Sequence, residues 1–280
     1  MTLVLALVWG RGVLVTADSR ASTGIVFHEE RKIQPIYFVH EGEEYDLAVV
    51  GGSGDSALVK QGFTIIRSIF KQWFAEKGFK EKRNPFVEEV ENIVSEIESR
   101  LLLRYRNLRS VGVEPSVSLL LATVSQDGKP LLYVFDDRGL AEPMHDNPGY
   151  ALLGKGVVTG GLLLLRLLDY RPDESWDWDL GLLSAFIIDM VSEVDPSVSP
   201  FLGESIYIRY DDEKKRVVLG PLREESYKEY KDKIKRRRDI VKMLWSTLEV
   251  VGEDDVKEAL NKLRQIKSSN MQKYTVKEKS

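Results

Sequence analysis

Short runs of apolar and β-branched residues alternate along the chain with segments whose apolar positions recur every three to four residues. The short runs predict β-strands, and the longer spacing predicts amphipathic helices. The predicted elements, in chain order, are strands at 3–9, 13–18 and 46–51, helices at 56–77 and 85–108, strands at 117–124, 130–136 and 139–143, helices at 157–168 and 180–194, and a hairpin of 204–210 with 216–220. Strands and helices therefore come in separate blocks.

This block order predicts an α+β fold in which two antiparallel sheets stack face to face and helix pairs cover their outer sides. We assign residues 1–220 to this domain and residues 221–280 to a charged helical C-terminal extension. The extension holds sixteen Lys and Arg against eleven Asp and Glu, whereas the whole chain has a net charge of −4. Its basic run at 233–239 is typical of a solvated helix face, because acidic residues surround it and no aromatic stacking pattern accompanies it. We therefore expect no nucleic-acid partner.

Composition excludes several kinds of chemistry. The 280 residues include no cysteine, which rules out disulfides, thiolate nucleophiles and thiolate metal sites. The three histidines, His28, His40 and His145, are far apart and lack metal-ligand spacing, so we expect neither a Ser-His-Asp triad nor a zinc site, and no metal or other cofactor. No apolar run is long enough to span a bilayer, and residues 1–24 lack the pattern of a signal peptide. These features predict a cytoplasmic protein with no membrane partner.

The opening hairpin predicts a group of side chains on one face of the sheet. If GRG forms a three-residue loop closed by a left-handed Gly12, Thr2 lies opposite Arg20, and Val4 lies opposite Asp18. Because side chains alternate between the faces of a strand, all four then project to the same side. A two-residue loop would shift the register by one residue and separate Thr2 from Asp18.

Thr2 has the functional groups of a nucleophile that carries its own base. Removal of Met1 would leave its hydroxyl next to a free α-amine, whose ordinary pKa of about 7.7–8.0 leaves a useful neutral fraction. A neutral amine can take the hydroxyl proton, directly or through water. A nearby cation favours the neutral amine and stabilises developing negative charge. Lys32, in the stretch EERKIQPI, is available for that role.

Three stretches carry a family resemblance: TLVLALVWGRGVLVTADSRASTG, then RKIQPI, then VVGGSGDSA. Together they resemble the proteasome β-subunit group of N-terminal nucleophile (Ntn) hydrolases, of the archaeal type. The resemblance covers residues 2 to 210 and implies a four-layer αββα sandwich. It also implies a threonine endopeptidase that acts on peptides or unfolded proteins, assembles into a homo-oligomer or ring, and has an ATPase as a candidate partner.

The same resemblance assigns roles to individual residues. Thr2 is the nucleophile, Asp18 orients the lysine, and Lys32 is the cationic partner of the threonine. The Gly51 N–H donates to the oxyanion, as a backbone donor in a dry site can do. The remaining assignments are Arg20 beside the site and Ala21, Ser22, Glu30, Val49 and Ser53 along the substrate.

The sequence departs from the family pattern around the terminal amine. The stretch before Lys32 is short, so Arg31 is the alternative cation, and the KI pattern favours Lys32. Where relatives carry a serine between two glycines, this chain has Lys155, which is either a surface residue on a loop or a residue of the site. The later residues that hold the amine are candidates within VDPSVSPFLG, namely Asp195, Ser197 and Ser199.

Other functions remain open at this point. GSGDSA at 52–57 matches a dinucleotide signature, but a second helix follows where a Rossmann unit needs a strand, which argues against nucleotide binding. A threonyl ester can also be attacked by an amine instead of water, so a connectase-like peptide ligase is an alternative to the peptidase. A non-catalytic assembly subunit is the third interpretation.

Overall fold

The computed structural model describes residues 3–23, 26–29, 31–173, 178–200, 202–222 and 224–248, together with 252, 254–255 and 257–258. Twelve strands occur in this part of the chain: β1 (Val4–Trp9), β2 (Gly12–Asp18), β3 (Arg20–Thr23), β4 (Val26–Glu29), β5 (Ile33–His40), β6 (Glu43–Gly54), β7 (Val117–Val124), β8 (Pro130–Phe135), β9 (Ala141–Pro143), β10 (Tyr150–Leu153), β11 (Leu202–Asp211) and β12 (Arg216–Pro221). The α-helices are α1 (Ser56–Trp73), α2 (Phe79–Glu81), α3 (Val87–Ser110), α4 (Leu162–Leu167), α5 (Leu180–Val194) and α6 (Glu224–Leu248), and π-helical turns occupy Phe74–Gly78 and Val157–Gly161.

The strands form two five-stranded antiparallel sheets and a small ribbon. The first sheet has the order β10-β1-β2-β11-β12, the second has the order β5-β6-β7-β8-β9, and β3 pairs with β4. The α+β class and the two antiparallel sheets are therefore as the sequence predicts. The sequence pattern missed β3, β4, β5 and β10. Strand β5 contains Pro35, which is unusual in a strand but tolerated here because β5 lies at the edge of its sheet.

The predicted register of the opening hairpin is wrong by one residue. Trp9 pairs with Gly12, so the connection has two residues, and Val4 lies opposite Ala17 instead of Asp18. Gly12 is not in the left-handed region; it lies within β2, where a Cβ would come within 2.7 Å of the Trp9 ring. Close packing, not turn geometry, explains this glycine. Val4 and Asp18 therefore do not share a face, and the predicted positions of Thr2 and of the Arg20 side chain lie outside the described residues.

Alternation along β1 sends neighbouring side chains to different cores. Val4 and Ala6 belong to a buried cluster that also contains residues of β6 and β7, in the second sheet. Leu3, Leu5 and Leu7 pack instead with residues of α5. The other side of the second sheet packs against α1 and α3. Buried apolar contact of this kind on both sides holds the start of β1 in place.

Helix boundaries follow local chemistry. Helix α1 begins after Asp55, whose carboxylate accepts a hydrogen bond from the Leu58 amide at 3.0 Å, as expected for an N-cap. The predicted helix at 56–77 changes to a π-helical turn after Trp73. The predictions for 117–124 and 180–194 are confirmed to the residue.

The contacts divide the chain into two compact units, Met1–Lys228 and Glu229–Ser280. In the second unit, the side chain of Ile234 is buried, whereas Val241 and Trp245 on the same helix are exposed. The assignment of residues 221–280 to a separate extension stays a prediction. No helix within the described ranges is both long and apolar enough to cross a membrane.

Candidate functional site

Asp18 is the centre of a buried polar cluster at the end of β2. Asp18 is 1% exposed, and its carboxylate accepts hydrogen bonds from three groups within the described residues. Oδ1 accepts from the Lys32 ammonium at 2.6 Å and from the Leu3 amide at 2.8 Å, and Oδ2 accepts from the Ser199 amide at 3.0 Å. A carboxylate buried this deeply needs such partners, because an unpaired charge in the interior is strongly destabilising. Asp18 therefore connects three separate parts of the chain.

Lys32 is also buried, at 5% exposure, and precedes β5. Its carbonyl accepts a hydrogen bond from the Gly52 amide at 3.0 Å, which ties its backbone to β6. Arg31, the alternative cation, instead forms an ion pair with Glu204 at 3.2 Å and is largely exposed. The structure thus places Lys32, and not Arg31, beside Asp18.

The main chain of Leu3 joins β1 to Asp18, whereas the sequence had predicted that side chains on a shared face of the sheet would do so. Leu3 donates its amide to the Asp18 side chain and accepts the Asp18 amide at 3.1 Å. Thr2 lies outside the described residues, but its carbonyl carbon is covalently bonded to the Leu3 nitrogen. Residue 2 is therefore connected to Asp18 through one peptide bond and the hydrogen bond that the Leu3 amide donates.

A glycine in β11 allows this arrangement. Gly203 is the extra residue in a bulge, where Leu202 pairs with Asp18 and Glu204 pairs with Ala17. A Cβ at Gly203 would lie 2.7 Å from the Ser19 Cα and 2.9 Å from the Asp18 carbonyl carbon. Only glycine allows the two backbones to approach so closely. Sequence reasoning missed this residue, although its position in the stretch that contains Ser199 was a usable signal.

Asp195 organises a second polar cluster at the C-terminal end of α5. Its carboxylate accepts from the Ser197 amide at 2.9 Å, from the Ser197 hydroxyl, and from the Thr159 hydroxyl at 3.3 Å. Burial acts to raise the pKa of Asp195, but these hydrogen bonds and the positive charge of Lys155 outweigh it, so the pKa is lower than usual. Asp195 is therefore held as the carboxylate.

Lys155 lies on a loop that packs against the start of β1. Gly154 has a φ of 96°, and a Cβ at Gly156 would meet the Leu3 Cβ at 3.0 Å. Lys155 itself is exposed. Its charge acts on Asp195, so Leu3, Lys155 and Asp195 belong to one region of the molecule. Ser199 contacts Asp18 and also accepts a hydrogen bond from the Ser19 hydroxyl at 3.1 Å, whereas Ser197 contacts Asp195.

Gly51 lies in the middle of the second sheet. It pairs with Ile33 of β5 and with Leu120 of β7. Because the Gly52 amide points towards β5, where it bonds to Lys32, strand alternation directs the Gly51 amide towards β7. An oxyanion role for Gly51 stays a prediction and requires its N–H to leave that ladder.

The structure describes only some of the other residues that were predicted to contact the substrate. Val49 is fully buried in the cluster that β1 shares with the second sheet, and Ser53 is partly buried opposite Ser118. The backbone of β3 contains Arg20, Ala21 and Ser22 and pairs with β4. The side chains at 20–22 and the whole of Glu30 lie outside the described residues, so their assignments stay predictions. In the described ranges, no group of three His, Cys, Asp or Glu side chains could hold a metal ion.

Comparison with known proteins finds likeness at the level of structure. No family model matches the chain, and no curated protein matches it. Among solved structures, an Anbu (Gly-1) mutant from Hyphomicrobium sp. strain MC1 has a TM-score of 0.65 at 15% identity, covering 89% of this chain and 100% of that one. Anbu, described as an ancestral beta-subunit, from Yersinia bercovieri has a TM-score of 0.63 at 15% identity, covering 87% of this chain and 97% of that one.

These comparisons correct the family identification. The interpretation of the chain as an archaeal-type proteasome homologue is wrong, because no family model matches and the solved structures named above are Anbu proteins at only 15% identity. What the likeness shows is a fold shared with these Anbu structures. Any activity has to be argued from the chain's own residues.

Proposed function

We propose that this chain is a threonine-dependent peptidase whose nucleophile is Thr2 after removal of Met1. The observation that carries the proposal is the buried Asp18–Lys32 pair, hydrogen-bonded to the amide of Leu3, the residue that follows Thr2. A lysine buried beside a carboxylate is costly to desolvate, and a site that stabilises a developing anion is a reason to keep one.

The reaction follows from the groups that Thr2 and Lys32 supply. The Thr2 hydroxyl loses its proton to the neutral α-amine while its oxygen bonds to the scissile carbonyl carbon. The peptide C–N bond then breaks, the leaving amine takes the proton, and an ester remains on Thr2. A water molecule attacks this ester, which releases the acid and restores the hydroxyl. The Lys32 ammonium stabilises the negative charge that develops in both steps, and Asp18 holds that ammonium in place.

The Asp195 cluster has a supporting role in this proposal. Asp195, kept anionic by Ser197 and Thr159, provides an acceptor for a protonated amine, and Lys155 opposes protonation by like-charge repulsion. We further infer that the layers stack in the order helix, sheet, sheet, helix. Support for this comes from the three buried clusters, one with residues of both sheets and two that combine one sheet with helices.

Turnover of a peptide library by processed protein tests the proposal. We expect Thr2→Ala to abolish turnover, Thr2→Ser to retain part of it, and Lys32→Met to reduce it by several orders of magnitude, because these groups act as one unit. Arg31→Gln is the matched control, since Arg31 is the neighbouring cation and does not contact Asp18. Equal turnover by Thr2→Ala and the parent protein would refute the proposal.

The same assay separates the two other interpretations. Adding a second peptide with a free amino terminus yields a longer product if the ester is captured by an amine, which identifies a ligase. Absence of both hydrolysis and ligation, with no ester formed on Thr2, identifies a non-catalytic assembly subunit. Either result would replace the peptidase proposal.

A further inference from the structure

Two large apolar side chains lie exposed on α4. Leu163 and Leu167 are one helical turn apart, which places them side by side, and they are 71% and 76% exposed. Val158, in the π-helical turn that leads into α4, is exposed as well. Exposed apolar side chains that lie together are typical of a surface that a partner covers. We call these three residues the α4 face.

A second exposed apolar surface lies on α6. Val241 and Trp245 are also one helical turn apart, and they are 56% and 72% exposed. Ile240 and Met243 on the same helix are exposed too. Tryptophan is among the residues that contribute most to binding when a partner buries it. We call Val241 and Trp245 the α6 face.

The segments that carry these two faces have opposite net charge. Residues 157–195, which include α4 and α5, have eight Asp or Glu and two Arg, so their net charge is −6. Residues 229–248 of α6 have three Asp or Glu and seven Lys or Arg, so their net charge is +4. Basic residues also lie next to the apolar side chains of α6, because Arg237 and Arg238 are one turn before Val241 and Lys242 is one turn before Trp245.

We propose that the α6 face of one copy of this chain binds the α4 face of a second copy. The two faces combine apolar surface with opposite charge, and such complementarity favours their association. Pairing of two α6 faces would bring basic residues together, and pairing of two α4 faces would bring acidic segments together, so contacts between like faces are disfavoured. Because the two faces differ, the contact is heterologous, and its repetition builds either a closed assembly or a chain of copies. The proposal does not depend on the chemistry of Thr2.

Light scattering of the full chain at about 100 μM tests the proposal, because at that concentration even a micromolar interface is largely formed. We expect a mass of at least twice the chain mass of 31.9 kDa. A mass of one chain at this protein concentration would overturn the proposal.

Two charge-bearing double variants identify the surfaces. Leu163→Arg/Leu167→Arg places positive charge on the α4 face and should weaken association at least about 10-fold, because the α6 face is basic. Val241→Glu/Trp245→Glu places negative charge on the α6 face and should do the same, because the α4 segment is acidic. All four side chains are exposed, so both variants should keep the circular dichroism spectrum of the parent protein. Val111→Arg, at an exposed valine just after α3, is the control and should associate as the parent does.

Mixing the two double variants distinguishes this contact from its alternatives. In the mixture, the intact α6 face of one variant meets the intact α4 face of the other, and the two altered faces carry opposite charge. Association should therefore return. Unchanged association of either double variant by itself would indicate a contact that does not use both faces. Failure of the mixture to associate would show that the two faces do not bind each other, and either result would overturn the proposal.

Discussion

Replacing Asp18 by alanine should destabilise the protein by about 3–5 kcal/mol, the cost typical of removing one partner from a buried ion pair. The structure supports this range, because the substitution leaves the Lys32 ammonium buried without its 2.6 Å partner and also removes the acceptor of the Leu3 and Ser199 amides. Lys32→Met should lower the free energy of unfolding by less, since the Asp18 carboxylate keeps the hydrogen bonds from the Leu3 and Ser199 amides.

The double variant Asp18→Ala/Lys32→Met separates the energy of the Asp18–Lys32 ion pair from the packing that each side chain contributes by itself. It contains no buried charge at this position, so it should be more stable than Asp18→Ala, with a coupling energy of about 0.5–3 kcal/mol. Urea unfolding followed by circular dichroism gives the free energies of unfolding for all four proteins. Glu96→Ala is the control, because it breaks an exposed pair with Arg100 at 2.7 Å, worth about 0.3–0.5 kcal/mol. If Asp18→Ala costs no more than Glu96→Ala, or if the two substitutions are additive, the buried pair is not formed as described.

Three further predictions concern Gly203, Lys155 and Asp46. Gly203→Ala should lower both thermal stability and peptide turnover, because its Cβ would meet the Ser19 backbone at 2.7 Å; an unchanged melting temperature would contradict this. Lys155→Ser should shift the acidic limb of the pH–turnover profile to higher pH, since it removes a positive charge that the proposed mechanism places near the terminal amine and so raises the pKa of that amine; an unshifted limb would place Lys155 outside the site. Burial raises the pKa of Asp46, so this group stabilises the fold at acid pH, and that contribution is lost as pH rises through its folded pKa. Asp46→Asn should therefore raise the melting temperature more at pH 7.5 than at pH 4.5. An equal change in melting temperature at both pH values would refute the reasoning.

The parts of the fold that the sequence predicts well are those with regular periodicity. The run VSLLLATV and the apolar helix at 180–194 are long, uninterrupted and bounded by polar or turn residues, so their limits are readable. Strand β5 was missed because Pro35 interrupts its pattern, and only its edge position makes that proline acceptable. Edge position is a property of the whole sheet and cannot be read locally.

The site was predictable in its residue types but not in its contacts. Asp18 and Lys32 were expected to act together, and the structure places them at hydrogen-bond distance. The contact with the N-terminal strand was assigned to the wrong groups, because one residue of register depends on whether Gly12 serves a turn or close packing against Trp9. The acceptor role of Asp18 towards the Ser199 amide joins residues 181 positions apart, which no local pattern encodes.

The claim that Thr2 is the nucleophile is tested most directly by the intact mass of the protein after reaction with a peptide epoxyketone. This electrophile bonds to a hydroxyl and an adjacent free amine, so it reports both groups of a terminal threonine at once. We predict a single adduct on chains that begin at Thr2, mapped to that residue by fragmentation. Chains that retain Met1 and the Thr2→Ala variant should carry no adduct. Absence of an adduct on processed chains, or equal labelling of chains that keep Met1, would contradict the mechanism.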